Sequence, residues 1–581
     1  MRGEFLFVEQ RFGFEVARGE LLLRPVAKVP PIYLQGKVYA LYEVPEGAWG
    51  QAVERLERGG VEYRRPRLED LFERRPLVEK FARFRPLERA VAMAKISAFL
   101  EFASTFTGSG TFYHSQQALC RLEERLHSFV CQLDRRMYYL LLLLDGVSDR
   151  ARGMGILQLL STGKEVVEPE EEKQVLGALR ASLPPQRLFK LYLEFIKLRI
   201  NNRRARSWIL PFLLNSPQLE LWAVKYRKKL RKALQHTLGK RRASILRSIL
   251  AKPAKERSEK ENKILQQWLG KFIQNSPQRT LEIVGFLLGV ENGLTLTLLK
   301  SYHEAKKNLK RGQLLPYETL EGLRSTYHAK RFSRQEVLEW TKNRLTKGQK
   351  LAMQRTGEKE GVEIQVNFYD YDPVRLYLYA FERGWNGEIE RALQQKARQF
   401  AAQLDLPPNL GILLDASQSM AGSQQQPLRP MAIALALRDI LLASSKNAAL
   451  ITCGGLPENP YLIRPQGATN LAAGFLQLVK KGAQSIIILS DGYENQPAGR
   501  LEEVLRALEK LGQAPKVLQL SPTVGTENEG GRNLAPGRIF ATSLFRPESL
   551  PLAMFRITLE NEPERALQWL EQQARSRLLK A

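Results

Sequence analysis

Histidine and cysteine are the scarcest reactive side chains in this 581-residue sequence, numbering five and three. Cys120, Cys131 and Cys453 are too few to staple a chain of this length, so a reducing cytoplasm is the expected compartment. His114, His127, His236, His303 and His328 have neither metal-ligand nor triad spacing, and no H-E-x-x-H, Walker A loop or paired acid and base accompanies them. Each imidazole is expected at the surface or in a core, and no enzymatic activity is expected. Long apolar runs are missing too: residues 138–144 are the most apolar stretch, far below the ~18–20 residues that cross a bilayer. The N-terminus has no signal-peptide h-region, so neither a membrane nor export is expected.

The third scarcity is of acid, and it is local. From residue 408 onwards Lys and Arg outnumber Asp and Glu by 18 to 15, so +25 of the formal +28 lies in residues 1–407. Between 197 and 257 the imbalance is 18 to 2. The basic clusters there are Arg203, Arg204 and Arg206; Arg227, Lys228 and Lys229; Arg231 and Lys232; and Lys240, Arg241 and Arg242. Thermophile surfaces add Glu along with Lys. With the acid absent, a polyanion suits such density better, because cationic side chains gain affinity by releasing counterions from phosphates. These residues are therefore the candidate nucleic-acid contacts. Trp208, Trp222, Tyr226 and Trp268 interleave them and could stack on unpaired bases, although aromatics at helical spacing more often belong to a core.

Oxygen side chains gather in the C-terminal third. Gly411-Ile412-Leu413-Leu414 reads as a buried parallel strand and runs into Asp415-Ala416-Ser417-Gln418-Ser419. Ligands of open α/β sheets bind beyond the carboxyl ends of strands, which is where these side chains fall. Two more follow at equivalent places: Thr469 in Gly467-Ala468-Thr469-Asn470, and Asp491 closing an apolar strand over 485–490. Asp415, Ser417, Ser419, Thr469 and Asp491 together make a candidate site for a hard cation, since Mg²⁺ takes oxygen ligands and keeps part of its water. Asp and Ser after a strand can equally cap the next helix. The pattern resembles the von Willebrand A domain with its metal-ion-dependent adhesion site. That resemblance implies Mg²⁺ as cofactor, direct ligation by Ser417, Ser419 and Thr469, largely water-mediated roles for Asp415 and Asp491, and an anionic partner group at the remaining position.

The flanks predict one doubly wound domain over 408–581, with helices at 431–443, 471–480, 501–511 and 563–580, strands at 448–453 and 516–520, and a loop at 525–533. Ahead of it, residues 188–200, 219–238, 243–250, 262–273 and 281–288 carry apolar residues at three- and four-residue spacing and predict stacked helices. Ser182-Leu183-Pro184-Pro185-Gln186, Asn215-Ser216-Pro217-Gln218 and Asn275-Ser276-Pro277-Gln278 predict helix starts with a capping Ser hydroxyl and Pro in the first turn. Their Pro-Gln steps lie 32 and 60 residues apart, close to one and two units of a helix-pair repeat, so 80–400 is expected to be a basic α-solenoid.

A basic solenoid joined to an A domain through Tyr371-Asp372-Pro373-Val374-Arg375 resembles the Ro ribonucleoprotein family, whose TROVE module of HEAT-like repeats is closed by such a domain. The resemblance implies an α + α/β fold class, a helical HEAT-like solenoid followed by a Rossmann-like von Willebrand A domain. It also implies an RNA-binding scaffold for single-stranded ends and small structured noncoding RNA. Residues 1–70 alternate around Gly and Pro turns and predict a small β-containing module that the Ro family lacks. A different function would use the same metal site: an adaptor of a MoxR-type ATPase, gripping an acidic protein partner through the cation.

Overall fold

The computed structural model describes residues 4–9, 24–25, 32–34, 37–45, 47–58, 60–64, 86–106, 108, 115–161, 169–402, 404, 406–423, 426–522 and 533–580. His114 and nearly all of the loop expected at 525–533 lie outside the described residues. The chain divides into two compact units, Met1–Gly155 with Glu165–Leu179 and Tyr371–Ala581, and Ile156–Lys164 with Arg180–Asp370.

Within the first unit, strands of five or six residues form a parallel sheet: β1 (Leu410–Asp415), β2 (Ala449–Cys453), β3 (Ser485–Leu489) and β4 (Lys516–Ser521), the most apolar being β1 and β3, with the shorter β5 (Phe540–Ser543) at one edge. All neighbours pair in parallel, in the order 2-1-3-4-5. Helices α1 (Arg429–Ser444), α2 (Leu471–Lys480) and α3 (Arg500–Lys510) cover it. Leu471, Phe475 and Leu478 of α2 and Leu501 and Leu505 of α3 pack on Leu413, Ile486 and Ile488, while α1 packs on β1 and β3. Crossover helices hide the sheet on both sides, which is why β1 is buried at every position instead of alternating. The expected doubly wound architecture is present.

The sheet's fifth strand and the helix α4 (Leu550–Asn561) have no counterpart in the sequence reading. Phe540-Ala541-Thr542-Ser543 is only four residues long, with its two apolar residues adjacent, so it carries neither an apolar run nor an alternation to detect. Helix α5 (Pro563–Lys580) follows as expected. Early helices belong to this same unit: Pro86–Thr105 packs against α4, and Pro373–Arg383 and Gly387–Ala401 pack against α1. The N-terminal β module is also here, antiparallel strands Glu4–Glu9, Lys37–Val44 and three shorter ones with helix Trp49–Arg58. Leu6, Val8, Tyr42, Val44, Ala52 and Leu56 form its core.

The second unit is helical throughout its described residues apart from connecting turns. The expected helix at 219–238 is two, Leu219–Lys225 and Arg227–Leu238, broken at Tyr226. Capping follows expectation at one of the three steps, where the Ser216 hydroxyl accepts from the Gln218 amide (3.2 Å), and differs at the other two. Ser276 precedes Pro277 at a helix start, but it adopts φ 45° and its hydroxyl makes no cap; Pro184 precedes the helix Pro185–Lys197 in place of a capping Ser. Proline's fixed φ starts these helices without a side-chain acceptor. Capping falls to Asn202, Ser258, Ser333 and Thr346 elsewhere in the unit. The second and third Pro-Gln steps nevertheless lie side by side: the Asn215 side chain donates to the Phe272 carbonyl (2.8 Å) and accepts from the Gln274 amide (2.6 Å).

Candidate metal centre and basic helices

β1 neighbours both β2 and β3, so the crossovers leave it in opposite directions and open a crevice at its carboxyl end. The candidate residues sit around that crevice. Asp415 ends β1, Thr469 lies in the loop between β2 and α2, and Asp491 stands two residues beyond β3. Asp415, Ser417, Thr469 and Asp491 are buried, and Ser419 is exposed. Main-chain bonds pin the loops to one another: the Gln418 amide donates to the Gly467 carbonyl (3.0 Å), and the Gln496 amide to that of Thr469 (3.2 Å). The Asn495 side chain accepts from the Thr469 amide (2.9 Å). Gly454, with φ 73°, lets β2 pass over this loop, because a Cβ there would come 3.3 Å from the Ser417 backbone nitrogen.

The hydroxyls are not engaged as caps. Ser417 occupies the position before a 3-10 turn (Gln418–Ala421), yet its side chain makes no capping bond. Its oxygen instead lies 3.1 Å from that of Ser419. The Thr469 hydroxyl is buried without a hydrogen-bond partner. A buried unsatisfied hydroxyl costs about 1–3 kcal/mol, so folding tolerates it where a ligand completes it. Asp415 accepts from the Ser417 amide (2.9 Å) and from the Ser490 hydroxyl (2.7 Å). Burial pushes its carboxyl up to about 6; these hydrogen bonds oppose the shift and the neighbouring Asp491 carboxylate adds to it. Two buried acids, a hydroxyl pair and an orphaned hydroxyl form a donor set suited to a hard cation, which would relieve both the repulsion and the unmet acceptor. Ser490 was missed in the sequence; it stands in the residue before Asp491, and only the pairing of β1 with β3 brings it to Asp415. Among the described residues no group of three or more His, Cys, Asp or Glu could hold a metal.

The basic candidates fall in three settings. Arg203, Lys228, Arg231, Lys232, Lys240, Arg241 and Arg242 are exposed, the last with its guanidinium 5.2 Å from the Trp268 ring centroid. Arg204, Arg206 and Lys229 are half-buried, and Arg204 donates to the Leu159 carbonyl (3.2 Å). Arg227 is engaged in packing: its guanidinium stands 4.2 Å from the Phe286 centroid and donates to Glu291 (2.7 Å). Glu291 also receives Lys306 and His303, and despite partial burial its carboxyl is held down to about 2. The helices Arg227–Leu238 and Lys240–Leu250, which carry most of the exposed cations, pack on each other across Gly239. Trp208 and Trp222 are core residues, 7% and 6% exposed, ringed by Phe189, Tyr192, Phe195 and Phe212. They present no face to a base.

No family model matches the chain, and no curated protein matches it. Among solved structures it is similar to a crystal structure of the Ro (RSR) protein of Deinococcus radiodurans, with 16% identity and a TM-score of 0.35 over 81% of this chain and 100% of that one. No helix among the described residues is long and apolar enough to cross a membrane.

Proposed function

We propose that this chain is an RNA-binding scaffold of Ro-like organisation, in which the basic helical unit grips phosphodiester backbone and the C-terminal sheet holds Mg²⁺. The observation that carries the proposal is charge: 18 Lys and Arg against 2 acids over residues 197–257, with Lys228, Arg231, Lys232, Lys240 and Arg241 turned to solvent. Partially neutralised surface charge would serve solubility alone; a dense one-signed surface on two packed helices favours a polyanion. With Trp208 and Trp222 in the core and Trp268 half-buried against Arg242, this surface reads chiefly phosphates and shape, so its binding is expected to be largely insensitive to sequence.

At the crevice, Ser417, Ser419 and Thr469 supply hydroxyl oxygens and Asp415 and Asp491 supply charge for the cation. When bound, the ion offers an electrophilic position to an anionic group of a partner. Leu456 and Tyr493, 55% and 42% exposed, follow Gly455 and Gly492 beside these loops. They favour an acidic protein segment as the second partner, the adaptor function, over a nucleic acid at this position.

The test is a salt titration with small structured RNA. Replacing Lys228, Arg231 and Lys232 together by Gln is expected to weaken binding and lower the slope of log affinity against log salt by about 2–3, since each neutralised phosphate contributes about 0.7–0.9. An unchanged slope would remove this helix from the footprint. Wild-type protein that binds no RNA at low salt would remove the proposal.

A further inference from the structure

A regular α-helix over 317–328 would bury position 327. Leu320 and Leu323 face the core at 0% and 5% exposure, and 327 follows them at the seven- and four-residue offsets of one helical face. The chain departs from that path. After the helix Tyr317–Leu323 it makes a π-turn, Arg324–His328, whose wider hydrogen bonding accommodates one extra residue. His328 thereby takes the inward place, 4% exposed, with Nε2 2.8 Å from the Ala305 carbonyl oxygen. Tyr327 is turned outward and is 56% exposed. Among the described Phe, Tyr and Trp residues of the second unit, it alone is exposed.

The setting of that ring is cationic. Residues 322–335 contain Arg324, Lys330, Arg331 and Arg334 and no acid. Arg324 pairs with Glu321 (2.7 Å), and Arg334 donates to the Tyr317 hydroxyl (3.2 Å). Lys330 and Arg331 are exposed, and no ion pair among the described residues uses them. Ser325 and Thr326 donate back to the Gly322 carbonyl at 3.1 and 2.7 Å, so their hydroxyls hold the turn. The local structure thus leaves the ring exposed, in a segment that also carries two exposed, unpaired cations, where helical continuity would have hidden it. A rigid planar ring beside positive charge suits a nucleobase with its phosphates. An apolar protein contact would use the ring but gain nothing from the two cations.

We propose that Tyr327 is a stacking platform for an unpaired nucleobase, with Lys330 and Arg331 taking the adjoining phosphates. The proposal rests on the RNA-binding function above and adds to it a site for single strands, which the buried tryptophans of the basic helices do not provide.

The experiment compares affinity of the full chain for a labelled single-stranded oligouridylate and for a blunt RNA duplex of the same length, at one ionic strength. Loss of one stacked base corresponds to about a 5- to 150-fold weakening. Tyr327→Ala and Tyr327→Leu should each show it for the single strand and leave duplex affinity unchanged; Tyr327→Phe should bind as wild type does. Because the ring is exposed, thermal melts of all three variants should match wild type. Equal single-strand affinity of Tyr327→Leu and wild type would overturn the stacking. Wild type that binds both RNAs alongside an unimpaired Tyr327→Ala would overturn this inference alone, whereas wild type that binds neither removes the RNA-binding function with it.

Discussion

Thr469 and Asp415 bear most directly on whether the crevice holds a cation. The buried, unpartnered Thr469 hydroxyl is a cost in the metal-free protein, so Thr469→Val should leave melting in chelator unchanged or slightly raised. With millimolar Mg²⁺, wild type should melt higher by mass action, and both Thr469→Val and Asp415→Ala should lose that increment. The pH dependence has a definite sign. Burial holds the Asp415 carboxyl of the folded, metal-free protein up to about 6, above an unfolded aspartate at about 3.9. The folded state therefore binds the extra proton between those values, and metal-free stability at this residue rises as pH falls from 6 towards 4. Protons compete with the cation, so the Mg²⁺-dependent rise should shrink over the same window. Calorimetry with and without Mg²⁺ across that range reads both effects; a magnesium increment indifferent to pH would place the ion elsewhere.

At the scale of the element, the close seating of α2 on the sheet rests on one small residue. A Cβ at Gly474 would come 2.7 Å from Leu413 Cδ1 and from Cys453 Sγ, atoms of β1 and β2 directly beneath. Gly474→Ala should cost about 1–3 kcal/mol through overpacking, against the usual benefit of Ala in a helix, and it should be read in denaturant midpoints. Legibility varied element by element for identifiable reasons. Helix α2 and helix α5 were bounded in the sequence as they stand in the structure, because apolar spacing and flanking Asn, Lys or Pro mark both ends. The break at Tyr226 was not marked, since Leu219–Leu238 keeps helical periodicity across it and no Gly or Pro interrupts. Nor was the π-turn at 324–328, which shifts the buried position by one residue without changing composition.

At the scale of the whole molecule, the first unit is assembled from distant segments. Arg556 of α4 donates to the Ser97 hydroxyl (3.1 Å) and to Glu101 (3.1 Å), and Glu101 also accepts from the Ser543 amide of β5 (2.9 Å). A further bond ties Ser549 to the Gly146 carbonyl (3.2 Å). Helix Pro86–Thr105 therefore completes the edge of a sheet built from residues more than three hundred positions later. Arg556 is 5% exposed, so Arg556→Ala would leave the half-buried Glu101 carboxylate without its cation. It is expected to destabilise the first unit by about 3–5 kcal/mol, and Arg556→Ala combined with Glu101→Gln should recover part of the loss in a double-mutant cycle. Additive losses would mean the pair is not coupled.

Sequence alone determined the parallel sheet, the alternation of its helices, the five oxygen side chains beyond its strands and the excess of cations before it. Each of these is carried by local periodicity or by a residue type at a fixed place in its own segment. Only tertiary structure decided that Ser490 meets Asp415, that Arg227 is spent on Phe286 and Glu291 while its neighbours face solvent, that Trp208 and Trp222 are core, and that residues 86–105 join the sheet. These are meetings between segments far apart in the chain, and one segment's spacing holds no record of what the other places opposite it.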